Sequence, residues 1–405
     1  MELSYSEKYR TLQNEVRDFI AKWGHLSPKP GGGRQKPGRK ALDWQNLLLE
    51  RGYFARNIPR EYGGFGLPLD VLELAIIAEE INRANVYPGI MNQGISMLVP
   101  TLLEVGTREQ CERWVRPTIR GEVIWCQGYS EPGSGSDLAA ARTTAVVEDG
   151  HFVINGQKIW TSSAHYADMM FLLARTEPDR PKHQGLSYLL VPMNTPGIEV
   201  RPLVTMTGRA TFNETFLTNV RVPADQIVMG RGDGWRVANV TLKYERLLLG
   251  DANKLSSRLG RVRELMERTT LDGRRVMDIP EYRDRLLRLQ GEVMASKYHG
   301  LRLLTEQAHG EDSGLKRLIV KYNGTMIGYR LSSLAVDVLG AAGLAYDPQD
   351  EAAETDEATA WQIDNMYDIG LMIGGGSTNI QKNIIAERGL GLPREPKAAA
   401  PSAKA

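Results

Sequence analysis

Six histidines (His25, His151, His165, His183, His299 and His309) and two cysteines (Cys111 and Cys126) are the natural carriers of metal and thiol chemistry, and here they are scattered. No two histidines have the i, i+4 spacing of a helical metal pair and no C-x-x-C occurs, so no metal site is assigned. Gly133-Ser-Gly-Ser-Asp137 has the outline of a serine nucleophile elbow but ends on Asp where the pattern requires Gly. Neither a G-x-G-x-x-G after a strand nor a G-x-x-x-x-G-K-[ST] is present, which leaves dinucleotide and nucleotide-phosphate loops unsupported.

Three polar segments remain. Trp125-Cys-Gln-Gly-Tyr-Ser-Glu-Pro-Gly-Ser-Gly-Ser-Asp137 runs from a strand into a Gly/Ser loop. Such a loop offers backbone N–H groups and hydroxyls to a polar ligand, and glycine lets the backbone come close. Taken alone it is equally well a turn between strands. Asn155-Gly-Gln-Lys-Ile-Trp-Thr-Ser162 places an aromatic ring and hydroxyls on a hairpin, and Gly374-Gly-Gly-Ser-Thr-Asn-Ile-Gln381, continuing to Pro393, sets a glycine-rich loop ahead of an amphipathic helix.

The elements that must position these segments follow from periodicity. Residues 1–121 read as helical: Val71, Leu74, Ala78 and Ile81 recur at helical spacing behind Asp70, a natural N-cap. Pro28 to Pro37 is a flexible basic loop, and Gly63-Gly-Phe-Gly-Leu-Pro68 a tight turn. Over 122–235 short apolar runs alternate with turn residues: Met169 to Ala174, Leu186 to Val191 and Phe216 to Val222, with Asn155-Gly156 as a hairpin signal inside His151 to Trp160. From 236 to 395 the helical period returns, in the stripes Tyr282/Leu286/Leu289/Val293 and Leu331/Leu334/Ala335/Val338/Leu339. A polar turn covers Leu271 to Pro280, an acidic loop Asp347 to Glu357, and a low-complexity, disordered tail 396–405. The order predicts an α+β protein: an N-terminal all-α domain, a β-barrel-like or sandwich middle domain, and a C-terminal helical bundle. It argues against a parallel βαβ sheet.

Composition narrows the partners. With 50 Lys+Arg against 49 Asp+Glu the formal net charge is +1, which gives no footprint for nucleic acid or an anionic membrane surface. No apolar run approaches the roughly 18 residues of a membrane span, and the polar start Met1-Glu-Leu-Ser-Tyr5 is not a signal peptide. A reduced, cytoplasmic setting is expected.

In these three segments, and in order and spacing along nearly the whole chain to Ala386-Glu-Arg-Gly-Leu-Gly-Leu-Pro393, the sequence resembles the acyl-CoA dehydrogenases, a family of lipid-degrading flavoproteins. The resemblance implies a four-helix C-terminal domain, a homodimer or a homotetramer built as a dimer of dimers, or a heterotetramer with a paralogue, and FAD between the β-domain and the C-terminal helices. It implies that Gln127, Tyr129 and Ser130 line the flavin through backbone and hydroxyl contacts, that Trp160 packs on the isoalloxazine and that Ser162 hydrogen-bonds it. Ser136 then sits where the acyl-CoA enters, Ser377 and Asn379 approach the adenine half, and Gly340-Ala-Ala-Gly343 is the turn contacted across the dimer. The family usually carries Gln three residues before that turn, where this chain has Asp337.

The family's reaction takes a proton from the acyl α-carbon while a hydride leaves the β-carbon for the flavin, and electrons pass on to an electron-transfer flavoprotein. A thioester α-proton is weakly acidic, so a carboxylate must stand beside it in a dry pocket. Many members place that Glu where this chain has Gly375, which has no side chain. A minority, including the isovaleryl and long-chain enzymes, place it on an earlier helix just before an Arg. In Leu242-Lys-Tyr-Glu-Arg-Leu-Leu-Leu-Gly250 this position is Glu245, with Arg246 on the substrate side. The plainer alternative is a solvated helix carboxylate paired with Lys243 or Arg246. The resemblance further implies a branched, long or polycyclic acyl group. Two other readings stay open: a flavin oxidase or monooxygenase on the same scaffold, and a non-catalytic or partner-dependent subunit.

Overall fold

Asp70 caps its helix as the spacing predicts, its carboxylate accepting from the backbone N–H groups of Leu72 and Glu73. The computed structural model describes residues 5–28, 35–249, 252–311, 314–347 and 356–394, with the backbone alone at 246–249 and 307–308. Most of the basic loop (29–34), most of the acidic loop (348–355) and the tail beyond 394 lie outside the described residues.

The N-terminal layer is built from α1 (Glu7–Trp23), α2 (Arg39–Glu50), α3 (Val71–Arg83), α4 (Val99–Val105), entered through a π-helical turn at Gly94–Leu98, and α5 (Arg108–Ile119). Asp70 also receives Lys8 Nζ (2.7 Å), so a single carboxylate both starts α3 and ties it to α1. Asp70→Ala removes an N-cap worth about 1 kcal/mol, which is expected to appear as faster amide hydrogen exchange in the first turn of α3.

The middle layer holds β1 (Trp125–Gly128), β2 (Thr144–Glu148), β3 (His151–Lys158), β4 (Met169–Arg175), β5 (Leu186–Pro192), β6 (Ile198–Leu203), β7 (Phe212–Pro223) and β8 (Ile227–Val228) in one sheet. Its order is β6-β7-β3-β2-β4-β5-β8, with β1 parallel to β4. The three apolar runs expected to be strands are β4, β5 and part of β7. Alternation explains why β4 is buried on both faces: Met169, Phe171 and Leu173 pack toward the helices, while Met170, Leu172 and Ala174 pack on the barrel side with Phe152, Ile154 and Val220.

The hairpin expected at Asn155-Gly156 is corrected. β3 runs straight through these residues, paired to β7 on both sides of a bulge between Ile154 and Gly156. Gly156 has φ 155°, and a Cβ there would lie 2.5 Å from Thr143 Oγ1, so the glycine serves close backbone approach rather than a turn. The turn between β2 and β3 is Asp149-Gly150, with φ of 47° and 72°.

The C-terminal layer comprises α6 (Gly234–Leu249), α7 (Ala252–Arg268), the short hairpin β9 (Thr270–Leu271) and β10 (Arg274–Arg275), then α8 (Pro280–Ala308), α9 (Lys316–Leu339), α10 (Glu357–Leu371) and α11 (Thr378–Ile384). Its core joins Leu286, Leu289 and Val293 of α8 to Leu331, Leu334, Ala335 and Val338 of α9, both stripes as read from the sequence, around the fully buried Trp361 of α10. Among the described residues no helix is long and apolar enough to cross a membrane.

Candidate functional site

The loop after β1 is held by a lysine. Lys158, at the end of β3, is fully buried; its Nζ donates to Glu131 Oε1 (2.8 Å), to the Leu173 carbonyl (2.8 Å) and to the Tyr129 carbonyl (3.1 Å). Glu131 in turn accepts from the backbone N–H groups of Arg142 (2.6 Å) and Thr143 (2.8 Å). Burial works to raise Glu131, but Lys158 and these N–H groups overcome it and hold the carboxyl below its ordinary range. Ile159 N–H donates to the Ser130 carbonyl (2.9 Å), so the segments carrying Gln127, Tyr129 and Ser130 on one side and Trp160 and Ser162 on the other are stitched together.

Sequence reasoning missed both clamp residues. The available signal was a glutamate followed by proline at the loop entry.

Trp160 is 52 % exposed, has φ 60°, and meets Phe212 edge-on at 5.7 Å between centroids. Ser163 is also left-handed, at φ 66°. Such backbone in non-glycine residues is costly and persists only where the surrounding structure holds it. Phe212 stacks on Tyr367 of α10 (6.4 Å), which carries the aromatic run from the β-domain to the C-terminal helices. Beside Trp160 the Thr161 hydroxyl is buried without a partner, and Ser162 is half-buried. An open aromatic face flanked by an unsatisfied hydroxyl suits a flat cofactor with polar edges, and FAD fits that description.

Gln127 is half-buried and its Oε1 lies 3.4 Å from Gln93 Nε2. Tyr129 departs from expectation. Its side chain is 4 % exposed, with its ring near Phe171 and Tyr188 and its hydroxyl sealed in the core, so only its backbone remains for a ligand. Ser136 is exposed in the loop that Ser134 and Asp137 shape, Ser134 Oγ donating to the Asp137 carbonyl (2.7 Å).

On α6, Glu245 is half-buried. Thr241, one turn earlier, is fully buried, its Oγ1 3.1 Å from Thr101 Oγ1 and 3.3 Å from the Tyr188 hydroxyl. Lys243, a conceivable partner for Glu245, instead donates to Glu104 (2.6 Å), as does the Tyr244 hydroxyl (2.8 Å). The Arg246 side chain lies outside the described residues.

At the C-terminal loop Gly375 and Gly376 have φ of 66° and 93°, and Ser377 caps α11 by accepting from Ile380 N–H (3.4 Å). Asn379 is exposed. The buried Lys321 of α9 donates to the Gly376 carbonyl (2.7 Å) and fixes this loop; it too went unread in the sequence. The Gly340–Gly343 turn follows α9. Gly343 is required because a Cβ would lie 2.3 Å from the Val336 carbonyl, and Asp337 just before the turn is paired with Arg285 (2.7 Å). Tyr346 beyond it donates to the Thr207 carbonyl (2.6 Å), tying this end of the bundle to the β-domain.

Residues 6–122, 126–220 and 232–390 match the models of the acyl-CoA dehydrogenase N-terminal, middle and C-terminal domains in turn. The chain is 41% identical over 395 residues to acyl-CoA dehydrogenase IpdE1 of Mycobacterium tuberculosis, covering 95% of this chain and 97% of that protein. Among solved structures it is similar to the Tcur3481-Tcur3483 steroid ACAD (27% identity, TM-score 0.80, 98% of this chain and 100% of that chain). It is likewise similar to the ChsE4-ChsE5 complex from Mycobacterium tuberculosis (29% identity, TM-score 0.78, 98% of this chain and 100% of that chain). Helices, sheet and helices, each matched in its own right and in the same order, make the chain a member of the acyl-CoA dehydrogenase family, flavin-dependent oxidoreductases of lipid degradation.

Proposed function

We propose that the protein removes two hydrogens across the α,β-bond of a branched, long or polycyclic acyl-CoA, a ring system of the steroid class among the polycyclic ones. The product is the trans-2-enoyl-CoA, and the electrons pass to an electron-transfer flavoprotein. The observation that carries this reading is the pairing of a side-chain-free, left-handed Gly375 with a half-buried Glu245 on α6.

Bound FAD supplies the acceptor for the β-hydride. Glu245 takes the α-proton; its partial burial limits competing water and strengthens the carboxylate as a base. Gln127, Ser130, Trp160 and Ser162 hold the flavin end and orient it. Ser377 and Asn379 serve the adenine half, with Gly340 and Gly343 contributing across a dimer. Ser136 and Arg246 meet the acyl-CoA. Similarity to the Tcur3481-Tcur3483 steroid ACAD supports the bulky acyl group.

The test is anaerobic addition of a panel of acyl-CoAs, straight, branched and ring-bearing, to the flavin-loaded protein. Bleaching of the flavin band by the bulky members is expected. Bleaching by none of them in a fully loaded protein overturns the reading, and rapid peroxide formation in air without a carrier favours an oxidase.

A second reading has its own support: the chain works as one half of a hetero-oligomer, in the manner of its relative in the ChsE4-ChsE5 complex. Here Asp337, next to the turn expected to meet a neighbouring subunit's flavin, is an exposed acid already paired with Arg285. Less than half a flavin per protomer in the chain purified alone is the expected sign of partner dependence.

A further inference from the structure

The segment that leads into α4 is fastened to β1, and the proposed chemistry does not use it. Asn92 brackets the backbone of Trp125: its Nδ2 donates to the Trp125 carbonyl (3.0 Å) and its Oδ1 accepts from the Trp125 N–H (3.0 Å). The same Oδ1 accepts from Gly94 N–H (2.8 Å), and the Asn92 carbonyl accepts from Ser96 Oγ (3.0 Å). One residue therefore holds the strand and starts the π-helical turn Gly94–Leu98. Gly94 is needed for the approach, because a Cβ there would lie 2.3 Å from Cδ1 of the fully buried Trp125. Single π-turns recur at functional sites, and this one is locked against the strand that carries Gln127.

Between Asn92 and Gly94 stands Gln93, whose Nε2 donates to Gln127 Oε1 (3.4 Å). Gln93 Oε1 is enclosed without a partner. The reverse arrangement, with Gln127 donating, would enclose the two N–H groups of Gln93 unpaired in place of one acceptor oxygen, which costs more. The contact therefore occupies the acceptor end of the half-buried Gln127 and leaves its donor end, Nε2, which makes no other hydrogen bond among the described residues. We propose that Gln93 is a positioning residue for Gln127, fixing that carboxamide so that its Nε2 donates to the acceptor-rich edge of the isoalloxazine. This rests on FAD lying against Gln127 and not on the choice of base. A donor held at that edge favours the ring once it has taken up electrons, because the charge that develops there finds the donor already in place.

The test reads the flavin equilibrium rather than turnover. FAD-loaded protein is reduced stepwise with dithionite, anaerobically and without acyl-CoA, beside a reference dye. Gln93→Met keeps the length of the side chain and removes the donor; Gln93→Ala removes the same donor with less side chain. Each is expected to lower the equilibrium constant for flavin reduction about 2- to 10-fold, the worth of one hydrogen bond, and Gln127→Leu to lower it by at least as much. Added to Gln127→Leu, Gln93→Met should change the constant no further. Flavin content and melting temperature are measured alongside. A constant unmoved in both Gln93 variants, whatever happens to the melting temperature, overturns the proposal, as do losses that simply add in the double variant. Failure of the flavin reading shows differently: the wild-type protein takes up no FAD, and the two fall together.

Discussion

Glu245→Gln is expected to keep its flavin and to lose its reduction by acyl-CoA by a factor of about 100 to 10,000, the usual contribution of a positioned general base. Gln has the shape of Glu and keeps one acceptor oxygen, but it cannot accept the α-proton. The flavin contacts proposed for the β-domain and for the loop ahead of α11 do not involve position 245, so cofactor content should not fall. Stopped-flow mixing under anaerobic conditions reads the rate, and the visible spectrum before mixing reads the flavin. A variant that bleaches at the wild-type rate overturns the assignment of Glu245.

The companion variant Gly375→Glu is expected not to restore the lost rate in the Glu245→Gln background. Position 375 sits at φ 66°, where a side chain is strained, and the neighbouring Gly376 carbonyl is pinned by Lys321 at 2.7 Å. The loop therefore cannot relax freely to place a carboxylate.

Much of the fold was legible because burial writes itself into periodicity. The α8 and α9 stripes and the β4 and β5 runs were read directly, and Asp70 announced its helix by residue type alone. Asn155-Gly156 misled because the same dipeptide that permits a tight turn also permits a bulge; the choice is made by β7, which pairs along β3 on both sides and is far away in sequence. The site divides along a similar line. Trp160 and the glycine loop were singled out as candidates by their motifs, and the structure leaves Trp160 half-exposed and Gly375 left-handed. The direction of Tyr129 could not be taken from its motif. Strand alternation puts Trp125 and Tyr129 on one side of the chain, and it is packing of that side against the helices that turns the tyrosine inward. Lys158 was invisible for a related reason: nothing local tells a solvated lysine from one whose partner, Glu131, lies 27 residues earlier.

That lysine carries the largest expected effect on stability. Lys158→Met keeps the length and volume of the side chain while leaving Glu131 buried beside an apolar group, and it is expected to destabilise the protein by about 3–5 kcal/mol, the range for breaking a buried pair on one side. The carbonyls of Tyr129 and Leu173 lose a donor in the same step, so loosened flavin binding should accompany the fall in melting temperature. The penalty is electrostatic in origin, which fixes its pH dependence. In the native protein Glu131 is held low, so its contribution is present above the ordinary carboxylate range and is lost as pH falls through the depressed value. In Lys158→Met the same carboxyl, desolvated and without its cation, is raised instead. Its cost is then full at neutral pH and disappears as the pH drops below the ordinary carboxylate value of about 4.3. The gap in stability between wild type and variant should therefore narrow on acidification. The double variant Glu131→Gln with Lys158→Met should lose less than the sum of the single losses, because no charge is then left behind. A gap that stays constant with pH, together with additive losses, identifies a packing defect and removes the ion pair as the element that holds the motif segments together.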